Sequence, residues 1–317
     1  MPESDIMASR DPSSFIKAAE IWLPDGDVLK SGGGNYGALD AFAKTSAQTV
    51  FAHGEGLPGK AWAEGRPVVL KEFDGSYFLR AQAATEAGLT CAVAIPVFSE
   101  TTLKAVAVVF CGDADEQLGA IELWAEAGDR LRLDAGYYGA AQAFEEVSQT
   151  VAFAPGQGLP GGVWSAEMPV LMRAIGSHHG FVRGQSASEA GLKTGLGIPV
   201  PSPDDRTWIV TLLSGSQTPL ARRFEIWDAR PERVGPRRAA MLIDGICERE
   251  GPLWPKQNPP VDIVTVGAWQ GPVGQVLGSG LPHIVGNGTG LPAGYRSMVA
   301  LPVYRGEDLA FITAWYL

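Results

Sequence analysis

Residues 54–70 read GEGLPGKAWAEGRPVVL, and residues 156–172 read GQGLPGGVWSAEMPVLM. The two stretches share a Gly-x-Gly-Leu-Pro-Gly turn, a Trp and a Pro-Val pair in the same order. A weaker copy, GPVGQVLGSGLPHIV, begins at Gly271. Self-similarity at a fixed period is the signature of a repeated structural unit, so this stretch predicts how the whole chain is organised.

A second repeated block sets the period. Residues 87–97 read AGLTCAVAIPV, residues 190–200 read AGLKTGLGIPV and residues 293–303 read AGYRSMVALPV, at intervals of 103 residues. The third copy diverges between Asp228 and Ala268, where it carries an insertion. We therefore predict one unit written three times. The predicted repeats span residues 12–114, 115–218 and 219–317.

The first repeat shows which elements each copy should contain. Glycine and proline mark the turns, β-branched runs indicate strands, and alanine-rich runs indicate helices. The predicted elements are a strand hairpin (20–29), a helix (38–50), one short helical turn (60–64), a strand (67–70), a helix (79–87) and two strands (90–98 and 103–110). The predicted fold is α+β, with an antiparallel sheet and short helices on one of its faces in each repeat.

These motifs together resemble the GAF domain family. The matching segments of the first repeat are Gly54–Trp62, Arg66–Val68, Arg80, Ala87–Leu89, Ile95–Val97 and Val106–Phe110. In the second repeat Arg183 stands in the place of Arg80, whereas Met168 replaces Arg66. The resemblance implies a ligand pocket between one sheet face and the short helices. It also implies sensing of small molecules or light, often coupled to an attached output domain.

The chain departs from this family pattern because the sequence contains no recognisable output domain and leaves no room for flanking helices between repeats. Near-continuous apolar runs end each repeat, at residues 105–110, 208–213 and 309–315. Such runs are typical of strands that are buried on both faces. We therefore expect the three sheets to cover one another around a pseudo-threefold axis.

Two arginines are the main candidates for binding a ligand. Arg80 and Arg183 lie on the segment that would border the pocket, where a guanidinium can clamp a carboxylate or phosphate. The alternative is a salt bridge within the protein. The further candidates for the ligand site are Arg66, Tyr77, Glu86, Cys91 and Trp62. For Trp62 the alternative is an ordinary place in the core.

Two cysteines of the first repeat are predicted to face each other. A turn near Thr101 places Cys91 opposite Cys111 on adjacent strands, which allows either a redox-sensitive pair or two small buried residues. The second repeat has Thr194 and Ser214 at the corresponding positions, which favours the second interpretation.

The composition of the chain limits the kinds of partner that we expect the protein to bind. The net charge of −10 argues against nucleic acid and anionic membranes, and no apolar run is long enough to span a bilayer. Three cysteines and no signal peptide predict a cytoplasmic protein. The four histidines form no metal-binding motif, so no metal site is predicted and any cofactor is unknown. A small ligand and a protein partner are expected, and homo-oligomerisation stays open.

Two functions fit these observations. The first is a non-enzymatic small-molecule sensor or regulatory scaffold that signals by contact with a partner, with a pocket in every repeat or in the first repeat alone. The alternative is a redox enzyme on the GAF fold, of the free methionine sulfoxide reductase type, which works through cysteines. The sequence shows no Ser-His-Asp set, no pair of catalytic carboxylates and no P-loop. The first function is therefore our prediction.

Overall fold

Three antiparallel sheets make up the structure, a computed structural model. It describes residues 14–112, 117–231, 238–248, 250–253, 263–288 and 290–317. We call residues 14–112 the first unit, 117–218 the second unit and the described part of 219–317 the third unit. The predicted α+β class is confirmed, because each unit pairs an antiparallel sheet with short helices.

The first unit has a six-stranded sheet in the order β3-β2-β1-β6-β5-β4. The strands are β1 (Ile16–Asp25), β2 (Val28–Asn35), β3 (Val50–Ala52), β4 (Val68–Leu70), β5 (Leu89–Ser99) and β6 (Thr102–Gly112). The helices are α1 (Asp40–Gln48), α2 (Gly56–Glu64) and α3 (Ala81–Glu86). Strand β3 is an element that we did not predict from the sequence.

The second unit repeats this arrangement with the sheet order β10-β11-β12-β7-β8-β9. The strands are β7 (Leu118–Ala127), β8 (Arg130–Gly139), β9 (Ala152–Phe153), β10 (Val170–Arg173), β11 (Leu192–Val200) and β12 (Trp208–Gly215). The helices are α4 (Gln142–Thr150), α5 (Gly158–Ala166) and α6 (Gly184–Glu189).

The third unit keeps the sheet order β15-β14-β13-β19-β18-β17, with β16 also paired to β14. The strands are β13 (Arg223–Asp228), β14 (Ala239–Cys247), β15 (Gly251–Pro252), β16 (Thr265–Gly267), β17 (His283–Val285), β18 (Met298–Arg305) and β19 (Asp308–Tyr316). Helix α7 (Gly271–Ser279) corresponds to α2 and α5. Part of the predicted insertion lies outside the described residues.

The Gly-Leu-Pro-Gly motif forms the start of helix α2, whereas we predicted that it forms a turn preceding the helix. Helix α2 begins at Gly56 and not at Lys60, because Pro58 fits the first helical turn, where its missing N–H is not needed. A Cβ at Gly59 would lie 2.2 Å from the Ala52 carbonyl oxygen, so only glycine allows this close approach. The motif therefore fastens the helix to the neighbouring strand.

The sheets cover one another through a shared apolar core. In β5, alternate side chains such as Val93 and Ile95 enter this central core, whereas Ala92 and Ala94 face the helices of their own unit. Corresponding side chains of the other units, among them Leu196 and Val299, join the same core. Strands β5, β11 and β18 contact each other pairwise, with Pro96, Pro199 and Pro302 around a narrow gap. The expected mutual burial is therefore present.

Each unit also lays its outer strand on the sheet of the next. Strand β4 packs on β8, β10 packs on β14, and β17 packs on β1 and β2, so the contacts run in a ring. Arg66 pairs with Asp134 at 3.0 Å across the first of these contacts, and Arg173 pairs with Asp244 across the second. None of the helices in the described part of the chain is long and apolar enough to cross a membrane.

Candidate functional site

A buried ion pair occupies the space between sheet and helices in the first unit. Arg80 precedes α3, and its Nη atoms donate to the two Glu20 carboxylate oxygens at 2.5 and 2.9 Å. It also donates to the Ser46 hydroxyl. The Arg80 and Glu20 side chains are 2% and 0% exposed, so the pair is shielded from water. Both oxygens of the carboxylate are thus committed to a partner inside the protein.

Aromatic rings fill the space around this pair. The Arg80 guanidinium carbon lies 5.0–5.6 Å from five ring centroids. These rings belong to Trp22, Phe42, Phe51, Phe78 and Phe110. Trp22 and Tyr36 also donate hydrogen bonds to Glu20, at 2.8 and 3.0 Å. The Arg80 Nε atom is buried and has no hydrogen-bond partner among the described residues.

The second unit reproduces the same arrangement. Arg183 donates to both oxygens of Glu122 and to Ser148, and four aromatic rings surround its guanidinium. Burial would by itself raise the pKa of Glu122, but the charge and hydrogen bonds of Arg183 and the hydroxyls of Thr211 and Ser148 lower that pKa overall. Glu122 is therefore held in its charged form.

The third unit keeps the glutamate but takes its cation from another place. Glu225 corresponds to Glu20, yet Gly286 stands where the register of the repeats would place an arginine. Arg223, two residues before Glu225 on β13, supplies the guanidinium and donates through Nε at 2.7 Å. Tyr316 and Trp227 donate to Glu225 at 2.9 Å each. Cys247, at the position of Tyr36, hydrogen-bonds the Tyr295 hydroxyl instead.

The other predicted ligand residues do not gather around Arg80. Arg66 lies at the contact with the second unit, paired with Glu64 and Asp134. Trp62 is half-buried on α2 and packs against His53, with the ring centroids 4.9 Å apart. Tyr77 is 38% exposed beside Lys60, and burial followed by the Glu64 charge raises the pKa of Tyr77. Glu86 is exposed and accepts a hydrogen bond from Gln82.

Cys91 lies on the opposite face of the sheet from Arg80. It faces Cys111 on the neighbouring strand, as predicted, and Thr194 faces Ser214 in the second unit. Both cysteines are free thiols inside the central core. Burial raises the pKa of the Cys91 thiol well above its ordinary value and also raises the pKa of Cys111. Such thiols are poor nucleophiles, because the reactive species is the thiolate.

A large cleft lies where the third unit meets the first, a place that no sequence motif indicated. Its volume is about 1060 Å³. The basic and polar side chains in its lining are Ser14, Lys17, Asn35, Arg222, Asn287, Tyr295, Arg296 and Ser297. Ala18, Ala19 and Ile16 supply apolar wall. Clefts of a few hundred to about 1,000 Å³ are the usual size of small-molecule sites, so this cleft is the candidate site.

No metal centre is found among the residues that the structure describes, because no three His, Cys, Asp or Glu side chains lie close enough to hold an ion. The His178 ring accepts a hydrogen bond from the Gly180 backbone N–H at 3.0 Å.

Comparison with known proteins gives similarities to solved structures only. The chain is 22% identical to the nlh2 GAF domain of A. aeolicus, over 31% of this chain and 58% of that one, with a TM-score of 0.26. It is 20% identical to free methionine-R-sulfoxide reductase from Neisseria meningitidis, over 30% and 52%, with a TM-score of 0.25. It is 16% identical to the GAF domain of a sensor histidine kinase from Bacillus halodurans, over 32% of this chain and 67% of that one, with a TM-score of 0.25.

Each of these matches covers about a third of this chain. The chain spans about half to two thirds of the length of those proteins. No protein-family model matches the chain. No curated protein matches it either.

Proposed function

We propose that this chain is a non-enzymatic regulatory protein of GAF-like build, which binds a small molecule and signals by contact with a protein partner. One observation carries the proposal. The sheet–helix spaces of the first two units hold Arg–Glu pairs and aromatic rings, whereas a cleft of about 1060 Å³ opens between the third and first units. The described lining of this cleft contains no Asp, Glu, His or Cys, so the Ser14 and Ser297 hydroxyls have no carboxylate or imidazole of the lining to act as their general base.

The position of the cleft supports a regulatory role. It is walled by elements of two units, namely the start of β1 and the segments that flank β13, β18 and β19. A ligand in this place contacts both units at once, so it favours whichever relative arrangement of the two gives the better contacts. A change at the junction would reach the outer surface of both units, where a partner protein can read it.

Native mass spectrometry of the purified full chain tests the proposal. We expect a complex that exceeds the mass of the polypeptide by that of one small molecule, and that loses this mass on denaturation. A chain that carries no ligand, and whose unfolding temperature is unchanged by a library of metabolites, would contradict a sensing role.

A redox activity makes a different prediction. The burial of Cys91 and Cys111 and their raised pKa values support the non-enzymatic proposal. Methionine sulfoxide is incubated with the protein and a thiol reductant, with the double variant Cys91→Ser/Cys111→Ser as the control. Turnover that the double variant loses would replace our proposal by the reductase alternative.

A further inference from the structure

The large cleft is one of three equivalent places in the ring of units. At each junction, a residue near the start of β5, β11 or β18 in one unit lies close to two positions of the next unit. The first position is at or beside the start of that unit's first strand, and the second is near the end of its second strand. The register of the sheets identifies the second of these positions, because Asn35 pairs with Ala19, Tyr137 with Ile121 and Ile246 with Phe224. Differences between the junctions therefore reflect differences in side chains at matched positions.

The first junction is filled. Tyr137 of the second unit hydrogen-bonds the Thr90 hydroxyl of the first unit at 2.9 Å. The Tyr137 ring packs against Phe15, with the centroids 5.5 Å apart. Gly119 leaves the space that the Phe15 ring occupies, because a Cβ there would lie 3.0 Å from that ring. The contacts at this place are made by aromatic rings and by a hydrogen bond between two uncharged side chains.

The second junction is partly filled. Ile246 replaces the tyrosine, and a cavity of about 230 Å³ remains between the second and third units. Lys193 and Arg222 line this cavity at the positions of Thr90 and Gly119, and Glu248 also lines it. Two positive charges therefore meet one negative charge among the described residues of this lining.

The third junction is both open and basic. Asn35 takes the place of the tyrosine, and the cavity grows to about 1060 Å³. Arg296 and Lys17 stand at the matched positions, and Arg222 also contributes to the lining. Each of the three already takes part in a further hydrogen bond, ion pair or other contact. The Leu317 carbonyl oxygen, which accepts a hydrogen bond from the Arg296 backbone N–H at 3.2 Å, belongs to a residue that also lines the cleft. This basic concentration is unexpected in a chain with a net charge of −10.

We propose that the cleft at the third junction binds a small molecule bearing carboxylate or phosphate groups, which Lys17, Arg222 and Arg296 recognise. Basic side chains that converge in a concave site attract anions and form charge-assisted hydrogen bonds to their oxygens. The apolar wall of Ile16 and Ala18 accommodates the uncharged part of such a molecule. This assignment rests on the proposed sensing function and names its site and ligand class.

Calorimetric titration of the full chain with citrate and with pyrophosphate, at constant ionic strength, tests the assignment. We expect one site per chain, and the probe that binds more tightly tells carboxylate from phosphate recognition. Lys17→Gln and Arg296→Gln should each weaken binding by about ten-fold or more, since each removes a charge-assisted contact. The matched control is Lys193→Gln at the second junction, which should change the affinity by less than about two-fold.

Arg296 is exposed and Lys17 is partly exposed, so both variants are expected to fold, and thermal unfolding checks this. Absence of binding of either probe at about 10 mM would overturn the anion assignment. Equal losses in all three variants would overturn it too, because they would indicate diffuse surface charge. A co-purified ligand whose affinity is unchanged by Lys17→Gln and Arg296→Gln would overturn the assignment of the cleft as the site, but it would still support the sensing function.

Discussion

The first and third units solve the same problem in two ways. Each buries a glutamate on its central strand, Glu20 or Glu225, and each neutralises it with an arginine. In the first unit Arg80 comes from the start of α3, 60 residues along the chain. In the third unit Arg223 comes from the same strand as its glutamate. The glutamate occupies the same position in both units, whereas the arginine that pairs with it occupies different positions.

Two positions differ between the first and third units in whether they hold this arginine. Arg223 stands at the strand position of Ala18, whereas Gly286 stands at the position of Arg80. Residues 294–297 line the open cleft. The corresponding stretch of the second unit, with Lys193 and Thr194, lines the smaller cavity although Arg183 is buried in that unit. The position of the arginine therefore does not decide whether this stretch lines a junction.

The largest effect should come from breaking the ion pair of the first unit. Arg80→Met leaves the Glu20 carboxylate buried without its counter-charge, so we expect the free energy of unfolding to fall by about 3–5 kcal/mol. Urea unfolding followed by tryptophan fluorescence measures the change. The control is Glu86→Gln on the exposed side of α3, which should be nearly neutral. A loss below about 1 kcal/mol in Arg80→Met would mean that the pair is dispensable.

The corresponding change in the third unit should cost less. The Arg223 side chain is 16% exposed, against 2% for Arg80, so water can partly solvate Glu225 when the arginine is removed. We expect Arg223→Met to lower the free energy of unfolding by about 2 kcal/mol, in the same urea experiment. A loss equal to that of Arg80→Met would show that the two sites are energetically alike, and the contrast between the units would fail.

A smaller effect is expected from the tyrosine that supports each glutamate. Tyr36→Phe removes the hydroxyl that donates to Glu20 at 3.0 Å, and Tyr316→Phe removes the one that donates to Glu225 at 2.9 Å. Each change should cost about 1–2 kcal/mol, because one hydrogen bond to a charged group is lost. Tyr77→Phe, which alters an exposed ring, is the control. Stability unchanged in Tyr36→Phe would rule out a role for its hydroxyl.

The smallest effect is one of pH. The pKa of Glu122 in the folded protein lies below its ordinary value of 4.5. The unfolded state therefore binds a proton more readily, so the stabilisation by Glu122 is present above about pH 4.5 and is lost as the pH falls through the lower, folded value. In the double variant Glu122→Gln/Arg183→Met, we expect the free energy of unfolding to fall less steeply below about pH 5 than in the wild type. Identical slopes would contradict the assignment.

Much of the fold was predictable because it is written in local patterns. The repeated blocks indicated the strands and helices, and the turn near Thr101 placed Cys91 opposite Cys111. The extent of α2 was not predicted, because Gly56 and Pro58 read as turn residues when the neighbouring strand is unknown. The apolar ends of β6, β12 and β19 correctly indicated strands that are covered on both faces.

The candidate site was much less predictable. Arg80 was recognised as a residue of interest, but its partner Glu20 lies 60 residues away and no local pattern links the two. A signal was available, because a glutamate recurs before Trp22, Trp124 and Trp227 within apolar strands. The cleft depends on how two units meet, and its lining comes from both ends of the chain. Periodicity within one repeat carries no information about such a contact.

The three prolines around the narrow gap have a consequence for how the sheets end. Pro96, Pro199 and Pro302 each lie two residues beyond the last pair that β5, β11 or β18 forms with its short neighbour. From these points each strand has an open edge, the kind of edge that invites another strand to add. Proline has no N–H to donate to such a strand. Side chains therefore line the gap between the three strands, and the three sheets remain separate.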